Sequence, residues 1–317
     1  MSRLVLVTGG AGFIGSHLVD RLMGEGYKVR VIDNFSTGSM ENLEHLKDNP
    51  NVEIIKGDLK SERDVEEAIK GVDVVFHYAA NPEVRVSTVN PRVHFEENVV
   101  ATFNLLEAMR KHGVREMVFA SSSSVYGEPE EIPVDENAPV RPVSVYGASK
   151  AACENLIHAY SKLYEIRAVI LRYANVVGPR LRHGVIWDFV NKLRINPQEL
   201  EVLGDGTQVR SYIYVDDAVE ATILAWREAR GIFEVFNVAS EDWITVDEVA
   251  KIVIETMGLR EVKIIHRPVA HGVGWLGDVK KIALKIDRLK ALGFKPRLDS
   301  VQAIKKTVLS IMVELSD

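Results

Sequence analysis

A tyrosine and a lysine four residues apart, Tyr146 and Lys150 in VYGASK, have the chemistry and spacing needed for proton transfer. On a helix, residues at i and i+4 lie on one face with Cβ atoms about 5–6 Å apart. An ammonium group at that distance favours the phenolate of a tyrosine, whose ordinary pKa is about 10. The spacing makes Tyr146 a candidate base, although a YxxxK pair on a solvated helix has the same pattern without any function.

Four consecutive serines, Ser121–Ser124, follow the apolar run EMVFA. In open α/β sheets, ligands bind just beyond the carboxyl ends of the strands. A serine hydroxyl at that position could share the hydrogen bond of a substrate hydroxyl with Tyr146 and so assist proton transfer. A serine-rich turn is the alternative, and it accounts for at least two of the four.

A glycine-rich turn, TGGAGFIGSH, places Gly9, Gly12 and Gly15 directly after the first apolar run and at the start of an amphipathic helix. Backbone amides near Phe13 and Ile14 would face a pyrophosphate, and a side chain at the glycine positions would block its approach. The position of this turn predicts dinucleotide binding. A glycine turn with a purely structural role is the alternative.

The second apolar run, VRVID, ends at Asp33, close to the expected spacing of about 20 residues after the glycines for a carboxylate that binds the adenosine ribose. This carboxylate would repel a 2′-phosphate, and no Lys or Arg follows it in NFSTGS, so NAD is favoured over NADP. Capping of the next turn is the alternative role for Asp33. Asp58 and Leu59, in the GDL step after the third run, could hold an adenine edge.

Apolar runs rich in Val, Ile and Leu alternate with segments of helical periodicity over the first ~170 residues, as the sheet strands and helices of an α/β protein do. The runs lie near 3–8, 28–32, 52–56, 72–78, 115–120 and 167–173. Strands that are apolar on both sides require helices on both faces of the sheet. The chain is therefore predicted to form a doubly wound parallel sheet, the Rossmann fold.

The alternation loosens after Tyr173. A helix near 185–196, a strand LEVL and the turn GDG begin a smaller region, while SYIYV, a helix over 216–230 and FEVFNVAS are expected to return to the main sheet. We therefore predict an NAD-binding domain of residues 1–173 joined by 212–240. An interleaved C-terminal domain of residues 174–211 and 241–317 would bind the substrate.

Composition narrows the function classes. The chain has 317 residues, 46% of them hydrophobic, and a net charge of −6, so no overall basic field would hold nucleic acid or an anionic membrane. One cysteine, Cys153, precludes an intrachain disulfide, and the nine histidines show no HxH or HExxH spacing, so no metal is expected. The N-terminal apolar run is too short for a signal peptide, and no stretch reaches the ~18–20 apolar residues of a membrane span, which predicts a cytoplasmic protein.

Taken together, TGGAGFIGSH, Asp33, the AAN segment from Ala79, SSSSVYG and YGASK resemble the extended short-chain dehydrogenase/reductase family. The resemblance spans nearly the whole chain. Within the family, LRYANVVGPR and GDGTQVRSYIYVDDA are most similar to nucleotide-sugar 4-epimerases, particularly those acting on UDP-glucose and UDP-galactose. This resemblance implies an NAD-dependent isomerase acting on a UDP-sugar.

The resemblance implies catalytic roles for Ser122, which lies four positions before the tyrosine of VYG, and for Tyr146 and Lys150. With the positions derived above, the expected cofactor-binding residues are Gly9, Gly12, Phe13, Ile14, Gly15, Asp33, Asn34, Asp58, Leu59, Ala79, Ala80, Asn98, Tyr146, Lys150 and Tyr173. The implied substrate contacts are Ser122 and Tyr146 at the sugar hydroxyl, Asn175 and Arg210 at the diphosphate, and Asp278 at the uridine ribose.

The implied reaction inverts C4 of the sugar. Tyr146 takes the proton of the 4-hydroxyl while hydride leaves C4 for the nicotinamide; a bound 4-keto sugar turns over and accepts the hydride on its other face. A 4,6-dehydratase of the same family would need an acid–base pair where Ser123 and Ser124 stand, which argues against that reaction. Epimerases of UDP-N-acetylglucosamine or UDP-glucuronate, a 4-keto-sugar reductase and a non-catalytic NAD-binding protein stay open.

One position departs from the family pattern, and a second leaves the choice of sugar open. Many epimerases carry an Arg three residues before the uridine-binding Asp, where this chain has Trp275, so Arg180 or Arg182 is a candidate replacement. The position that discriminates N-acetylated sugars is Ile282, neither the large Tyr nor a small residue.

A helix from about Pro91 to His112 has more apolar positions than one core-facing stripe needs. In the family, this helix and the one bearing Tyr146 commonly form a dimer interface, so the resemblance implies a homodimer. Burial of both helices against the sheet is the alternative.

Overall fold

The computed structural model describes residues 3–316, so the ends of the predicted domains at residues 1–2 and 317 lie outside it. Within this range the strands are β1 (Leu4–Thr8), β2 (Lys28–Asp33), β3 (Val52–Lys56), β4 (Val74–His77), β5 (Glu116–Ser122), β6 (Arg167–Tyr173), β7 (Asn175–Val177), β8 (Glu199–Leu203), β9 (Val209–Arg210), β10 (Tyr212–Tyr214), β11 (Phe233–Val238), β12 (Ile244–Thr245) and β13 (Lys263–Arg267). The six predicted apolar runs correspond to β1–β6.

Ten α-helices lie in the same described range. They are α1 (Phe13–Gly24), α2 (Glu62–Ala68), α3 (Arg92–His94), α4 (Ala101–His112), α5 (Val145–Tyr164), α6 (Gly184–Ile195), α7 (Val215–Glu228), α8 (Val246–Thr256), α9 (Asp287–Ala291) and α10 (Ser300–Glu314). A π-helical segment, Phe95–Val100, joins α3 to α4. The predicted helix over 91–112 is thus one continuous helical stretch with a wider turn inside it.

Seven parallel strands form the main sheet in the order β11-β6-β5-β4-β1-β2-β3. The strand order reverses at β1, which pairs with β2 on one side and β4 on the other. Connections from β1 and β4 therefore leave toward opposite faces, and a crevice opens at the carboxyl ends of these two strands. The prediction of a doubly wound parallel sheet is confirmed.

Alternate residues of β1 enter two separate cores, which explains why its sequence is apolar throughout. Val5 and Val7 are buried with Leu18 of α1, whereas Leu6 is buried with Leu105 of α4 on the other face. Successive strand side chains point to opposite faces, so a strand covered on both faces needs a continuous apolar run.

The expectation that SYIYV returns to the main sheet is wrong. Its strand β10 pairs in parallel with β7, with Tyr212 opposite Asn175, in a small separate sheet. The reason is that β11 occupies the edge of β6 over the whole length from Ala168 to Tyr173. The FEVFNV segment does join the main sheet as expected.

Residues 283–285 are tied to the carboxyl end of the main sheet by backbone and side-chain hydrogen bonds. The Val134 amide donates to the Ala283 carbonyl (2.9 Å), and the Lys285 amide donates to the Val134 carbonyl (2.7 Å). The buried Asn237 side chain of β11 donates to the carbonyls of both Val134 (3.1 Å) and Lys285 (3.0 Å). This junction fixes part of the C-terminal region against the sheet.

The stretch from α3 to α4 is buried on one side and apolar on the other. Leu105, Leu106 and Met109 are fully buried, whereas Phe95 and Phe103 expose 57% and 45% of their surface. Burial against the sheet therefore accounts for only one face of this helix.

Across residues 3–316, no helix combines the length and apolar character that a membrane crossing requires.

Candidate active site

Strand β5 and helix α5 bring the candidate catalytic side chains together. The α5 helix begins with Ser144, whose hydroxyl accepts the Gly147 amide (3.1 Å) as an N-cap. One turn later, Lys150 Nζ lies 6.0 Å from the ring centroid of Tyr146 and donates to the Ala120 carbonyl of β5 (2.7 Å). The predicted i, i+4 pair therefore shares one face, and that face is directed toward the end of β5.

Burial shifts the pKa of both groups. It raises the pKa of the Tyr146 phenol to about 12, against the opposing effect of the Ser122 hydroxyl. It lowers the pKa of the Lys150 ammonium to about 8, against the opposing charges of Cys153 and Glu154. At neutral pH without bound nucleotide, Tyr146 is thus a neutral phenol beside the buried Lys150 cation. The positive charge of Lys150 lowers the free energy needed to ionise this phenol.

Replacing Lys150 with methionine is expected to stabilise the nucleotide-free protein at pH 7. The pKa of Lys150 is about 8 in the folded protein, whereas the ordinary pKa of a lysine is 10.5. Between these two pH values, the folded state therefore binds fewer protons than the unfolded state. The burial of Lys150 therefore costs roughly 3 kcal/mol below pH 8, at 1.36 kcal/mol per pH unit, and the cost disappears as pH rises toward 10.5. Urea unfolding at pH 7 and at pH 10 measures both effects.

The exposed Lys162 of the same helix provides the matched control. Lys162→Met should leave the free energy of unfolding nearly unchanged at both pH values. A Lys150→Met variant that is less stable than the wild type at pH 7 would contradict a net cost of burying this cation.

The four serines separate into distinct environments. Ser121 is buried and donates to Glu154 (2.5 Å), whereas Ser122 donates to the Ser124 hydroxyl (3.0 Å) and accepts the Ser124 amide (3.2 Å). Ser122, Ser123 and Ser124 line the same cleft as Tyr146 and Lys150. Ser121 lines the cleft as well and, like Ser122, belongs to β5, whereas Ser123 and Ser124 begin a 3₁₀ turn after it, so the turn interpretation holds for these two serines.

The glycine turn has the close packing that its sequence predicts. Gly9 has φ +67°, and a Cβ at this position would lie 2.7 Å from the Ala79 amide nitrogen. A Cβ at Gly15 would lie 2.2 Å from the Gly9 carbonyl oxygen. Gly12 precedes the first turn of α1, where the Phe13 and Ile14 amides begin the helix. Backbone packing therefore requires glycine at Gly9 and Gly15, and the amides of the first turn of α1 are donors of the kind that a pyrophosphate needs.

Asp33 lies at the carboxyl end of β2 and closes one side of a groove beside the glycine turn. Its carboxylate accepts the amides of Ala11 (3.0 Å) and Phe35 (2.8 Å). Burial raises its pKa, and these two hydrogen bonds oppose the rise. Asp33 therefore also holds the turn that follows, as the capping alternative requires. The groove has a volume of about 560 Å³ including its open side, and its lining includes Gly9, Asp33, Asn34, Asp58, Leu59, Ala79 and Ala80.

The far wall of this groove is held by contacts between strand ends. Asn34 Nδ2 donates to Asp58 (3.2 Å), and the Lys60 amide donates to the same carboxylate (2.8 Å). These bonds connect the ends of β2 and β3.

Asn98 lies in the π-helical segment and links the AAN segment to α5. Its Oδ1 accepts the Asn81 amide (2.9 Å), and its Nδ2 donates to the Ser149 hydroxyl (2.8 Å). Asn98 is buried, so it acts on the groove by positioning residues 79–81 rather than by lining it. Single π turns are often associated with functional sites.

Tyr173 shares a cluster of hydroxyls that the sequence did not indicate. Its hydroxyl bonds to Tyr78 (2.6 Å) and to Thr222 (2.5 Å). Tyr78 and Tyr173 both line the main cleft, and burial raises the pKa of Tyr78 to about 12. Tyr78 directly precedes the AAN segment, which is the only signal that the sequence offered for it.

The predicted substrate contacts lie in the same cleft as Tyr146. Arg210 Nη2 donates to Asp278 Oδ1 (2.8 Å), the Gly274 amide donates to Asp278 Oδ2 (3.1 Å), and Asn175 Nδ2 donates to the Ser211 carbonyl (3.3 Å). Asn175, Arg210, Asp278 and Ile282 all line this cleft, whose volume is about 2160 Å³ including its open mouth. One continuous cavity thus connects them with the serines and Tyr146.

Neither candidate replacement for the arginine missing at Trp275 is among the residues that line the cleft. Arg180 pairs with Asp20 (2.9 Å), and Arg182 pairs with Glu41 (3.0 Å). Among the described residues that line the cleft, a different arginine lies next to Trp275. Arg85 places its guanidinium carbon 5.9 Å from the Trp275 ring centroid.

A buried ion pair behind the site was also missed. Arg172 of β6 donates through Nε (3.0 Å) and Nη2 (2.6 Å) to Glu154 of α5, and Arg172 Nη1 donates to the Tyr126 hydroxyl (3.0 Å). Glu154 lies one helical turn after Lys150 and also accepts from Ser121, next to Ser122. The pair therefore connects the helix bearing Tyr146 to the ends of β5 and β6. A charged residue at the end of the apolar run AVILRY was the available signal.

Within the described residues, no group of three His, Cys, Asp or Glu side chains is arranged to hold a metal ion.

Comparison with known proteins assigns a family to most of this chain. Residues 5–239 match the NAD dependent epimerase/dehydratase family. A protein of Methanocaldococcus jannaschii named as a putative UDP-glucose 4-epimerase is 40% identical, with 96% of this chain and 97% of that protein aligned. The match therefore extends through the C-terminal region beyond residue 239.

Solved structures share the whole architecture. A UDP-galactose 4-epimerase is 50% identical with a TM-score of 0.89, and the Thermus thermophilus UDP-glucose 4-epimerase, solved with NAD, is 37% identical with a TM-score of 0.87. The UDP-N-acetylglucosamine 4-epimerase of Methanobrevibacter ruminantium is 34% identical with a TM-score of 0.88. The alignments cover 98%, 98% and 99% of this chain and 99% of each structure.

Proposed function

Because this chain belongs to the NAD dependent epimerase/dehydratase family, we propose that it interconverts UDP-glucose and UDP-galactose by inverting C4 through a transient 4-keto sugar, with tightly bound NAD. The relatives named above as UDP-glucose and UDP-galactose 4-epimerases support this choice. The observation that carries the proposal is the cleft in which Ser122, Tyr146 and Lys150 meet Arg210 and Asp278.

In the proposed reaction, Tyr146 as the phenolate takes the proton from the sugar 4-hydroxyl and, as the phenol, later returns it to the 4-keto oxygen. Ser122 shares the hydrogen bond of that hydroxyl, and the buried Lys150 ammonium favours the phenolate by its charge. Arg210, Asn175 and Asp278 anchor the nucleotide while the sugar turns over.

The NAD site proposed here consists of the glycine cradle and the adenosine groove. The Phe13 and Ile14 amides would bind the pyrophosphate, Asp33 the ribose, and Asn34, Asp58 and Leu59 the adenine side of the groove. Ala79, Ala80 and Tyr173 line the path from the groove to the cleft, with Asn98 behind them. When bound, NAD supplies the hydride acceptor and donor for C4.

The identity of the sugar rests on the pocket near Ile282. Ile282 is buried, lines the cleft and is fixed by a hydrogen bond from its amide to the Val209 carbonyl (3.1 Å). UDP-N-acetylglucosamine is the alternative substrate favoured by the similarity to the Methanobrevibacter enzyme. UDP-glucuronate, a 4-keto-sugar reductase reaction and NAD binding without catalysis are the remaining alternatives.

The proposal is tested with purified protein and no added NAD. The protein is incubated separately with UDP-galactose and UDP-N-acetylgalactosamine, and the C4 epimers are separated by chromatography. We expect conversion of UDP-galactose to UDP-glucose with retained cofactor. Conversion of the N-acetylated sugar alone would change the assigned substrate, and no conversion even with added NAD would favour a reductase or a non-catalytic binder.

The proposal also assigns a ligand to each of the two parts of the chain. Residues 1–173 together with 215–240 form the NAD-binding part, supported by the pairing of β11 with β6. Residues 174–214 and 241–317 form the part that binds the UDP-sugar, because β10 pairs with β7 rather than with the main sheet and because Arg210, Asp278 and Gly274 are bonded together.

A homodimer is proposed through the exposed face that carries Phe95 and Phe103, since two large apolar side chains on one helix are costly to leave in water. Phe103→Glu is expected to convert a dimer to a monomer in light scattering with size exclusion. Leu309→Glu, at an exposed leucine of α10, is the control and should leave the mass unchanged. A wild-type protein that elutes as a monomer would contradict the proposal.

A further inference from the structure

A UDP-sugar brings a doubly charged diphosphate into the cleft. The cationic side chains that line the cleft differ in how many N–H groups they have available to bind this diphosphate. The cationic side chains among the lining residues are Arg85, Lys150 and Arg210, with His183 as a titratable neighbour. Each phosphate requires N–H donors that are not already used, because a charge-assisted hydrogen bond depends on a free donor as well as on charge.

Two of these cations are already engaged. Arg210 donates through Nη1 to the Val209 carbonyl (2.7 Å) and through Nη2 to Asp278 (2.8 Å) and the Val279 carbonyl. Lys150 is buried beside Tyr146 and donates to the Ala120 carbonyl. At the Asp278 end of the cleft, Arg210 thus has only part of its guanidinium available for a phosphate. Lys150 lies at the other end, beside Tyr146.

Arg85 lines the same cleft and lies beside Trp275, three residues before Asp278. It belongs to a short 3₁₀ segment, Val84–Thr88, which is fixed to the start of α5 because the Tyr146 amide donates to the Ser87 hydroxyl (3.1 Å). The loop bearing Trp275 packs on the same start of α5: a Cβ at Gly277 would lie 3.1 Å from the Val143 carbonyl oxygen. Arg85 and Trp275 therefore face each other at the sugar side of the cleft.

The guanidinium of Arg85 is held by weak contacts only. It bonds to Glu83 through Nε (3.0 Å) and Nη2 (3.2 Å), two residues away in sequence, with 48% of the Arg85 side chain exposed. An exposed pair of this kind contributes about 0–1 kcal/mol, so a phosphate can replace the carboxylate. The guanidinium carbon lies 5.9 Å over the face of the Trp275 ring, so the ring does not occupy the N–H edge that Glu83 now holds and that a phosphate would take over.

We propose that Arg85, supported by Trp275, is a substrate-binding residue that contacts the sugar-side phosphate of the diphosphate. This inference rests on the proposed function, which places the sugar at Tyr146 and the uridine at Asp278. A planar fork matches a phosphate in a bidentate manner, and the aromatic ring maintains the plane of the fork. Trp275 is then part of the phosphate site through the arginine it supports.

Calorimetric titration of NAD-loaded protein with UDP and with UMP tests the inference. We expect Arg85→Leu to weaken UDP binding by about 10- to 100-fold, the range for loss of a charge-assisted contact, and to leave UMP binding within about twofold. Trp275→Leu should weaken UDP binding by a smaller factor, and Arg85→Lys should fall between wild type and Arg85→Leu. Arg92→Leu is the control, because Arg92 is exposed outside the cleft and pairs only with Glu96 among the described contacts.

Each outcome separates this inference from the proposed function. Unchanged UDP binding in both Arg85 variants would overturn the inference while leaving the epimerase proposal intact, as would an equal loss for UDP and UMP. Wild-type protein that binds neither nucleotide would overturn the proposed function, and the inference with it. If Arg85→Leu does not fold, as judged by its thermal unfolding, Arg85→Lys alone decides, since the charge is kept and only the fork is lost.

Discussion

Tyr146→Phe lowers kcat by about 10²- to 10⁴-fold, the usual contribution of a positioned acid–base group, and leaves the bound NAD unchanged. The substitution removes one oxygen atom from a half-buried ring and keeps its packing beside Lys150. Because phenylalanine has no ionisable group, raising the pH should not restore the lost activity. Initial rates of epimer formation, with NAD content measured by absorbance, provide the test.

Tyr164→Phe is the matched control, since Tyr164 ends the same helix far along the chain from Tyr146. It should retain wild-type kcat and NAD content. If Tyr146→Phe kept more than half of the wild-type rate, Tyr146 would not transfer the proton and the role of the cleft would have to be reassigned.

Glu154→Ala is expected to lower the free energy of unfolding by about 3–5 kcal/mol, because it leaves the buried Arg172 guanidinium without its carboxylate. The same change removes the partner of Ser121 and the link from α5 to the ends of β5 and β6. The activity of the folded fraction should therefore fall as well. Urea unfolding followed by circular dichroism measures the stability.

Two further variants separate loss of a charge pair from loss of a side chain. Replacing Glu154 and Arg172 together by methionine should restore most of the stability, since a buried pair exchanged for apolar residues is often nearly neutral. Glu228→Ala removes the exposed partner of Arg230 and should cost less than about 1 kcal/mol. A Glu154→Ala variant as stable as Glu228→Ala would show that the buried pair contributes little.

The sheet and the nucleotide groove could be predicted because their determinants are local. Six strands follow from apolar runs that must be covered on both faces, and the glycine turn follows from the absence of a side chain at Gly9 and Gly15. Tyr146 and Lys150 share a face because helical geometry requires it. In each case neighbours in sequence determine the contact.

The contacts that could not be predicted join distant parts of the chain. Strand β10 has the apolar pattern of a strand in the main sheet. It pairs with β7 instead, because β11 occupies the edge of β6. Arg172 meets Glu154 across two elements, and Arg85 meets Trp275 across 190 positions, so neither pair has a spacing rule. The resemblance indicated a missing arginine at Trp275 but could not show which residue lies beside it.

The bonds that fix residues 283–285 to the end of the sheet bear on whether the protein or the ligand moves during C4 inversion. Val134 and Asn237 hold this segment, and Ile282, just before it, is bonded to the strand that carries Arg210. Under the proposed function, these bonds join the residues that bind the nucleotide to the sheet, at the end where Lys150 of α5 is bonded to β5. We therefore expect both faces of the keto sugar to be presented by torsion about the ligand's own phosphate–oxygen bonds. A substrate analogue with that linkage rigidified should bind and exchange hydride on one face only.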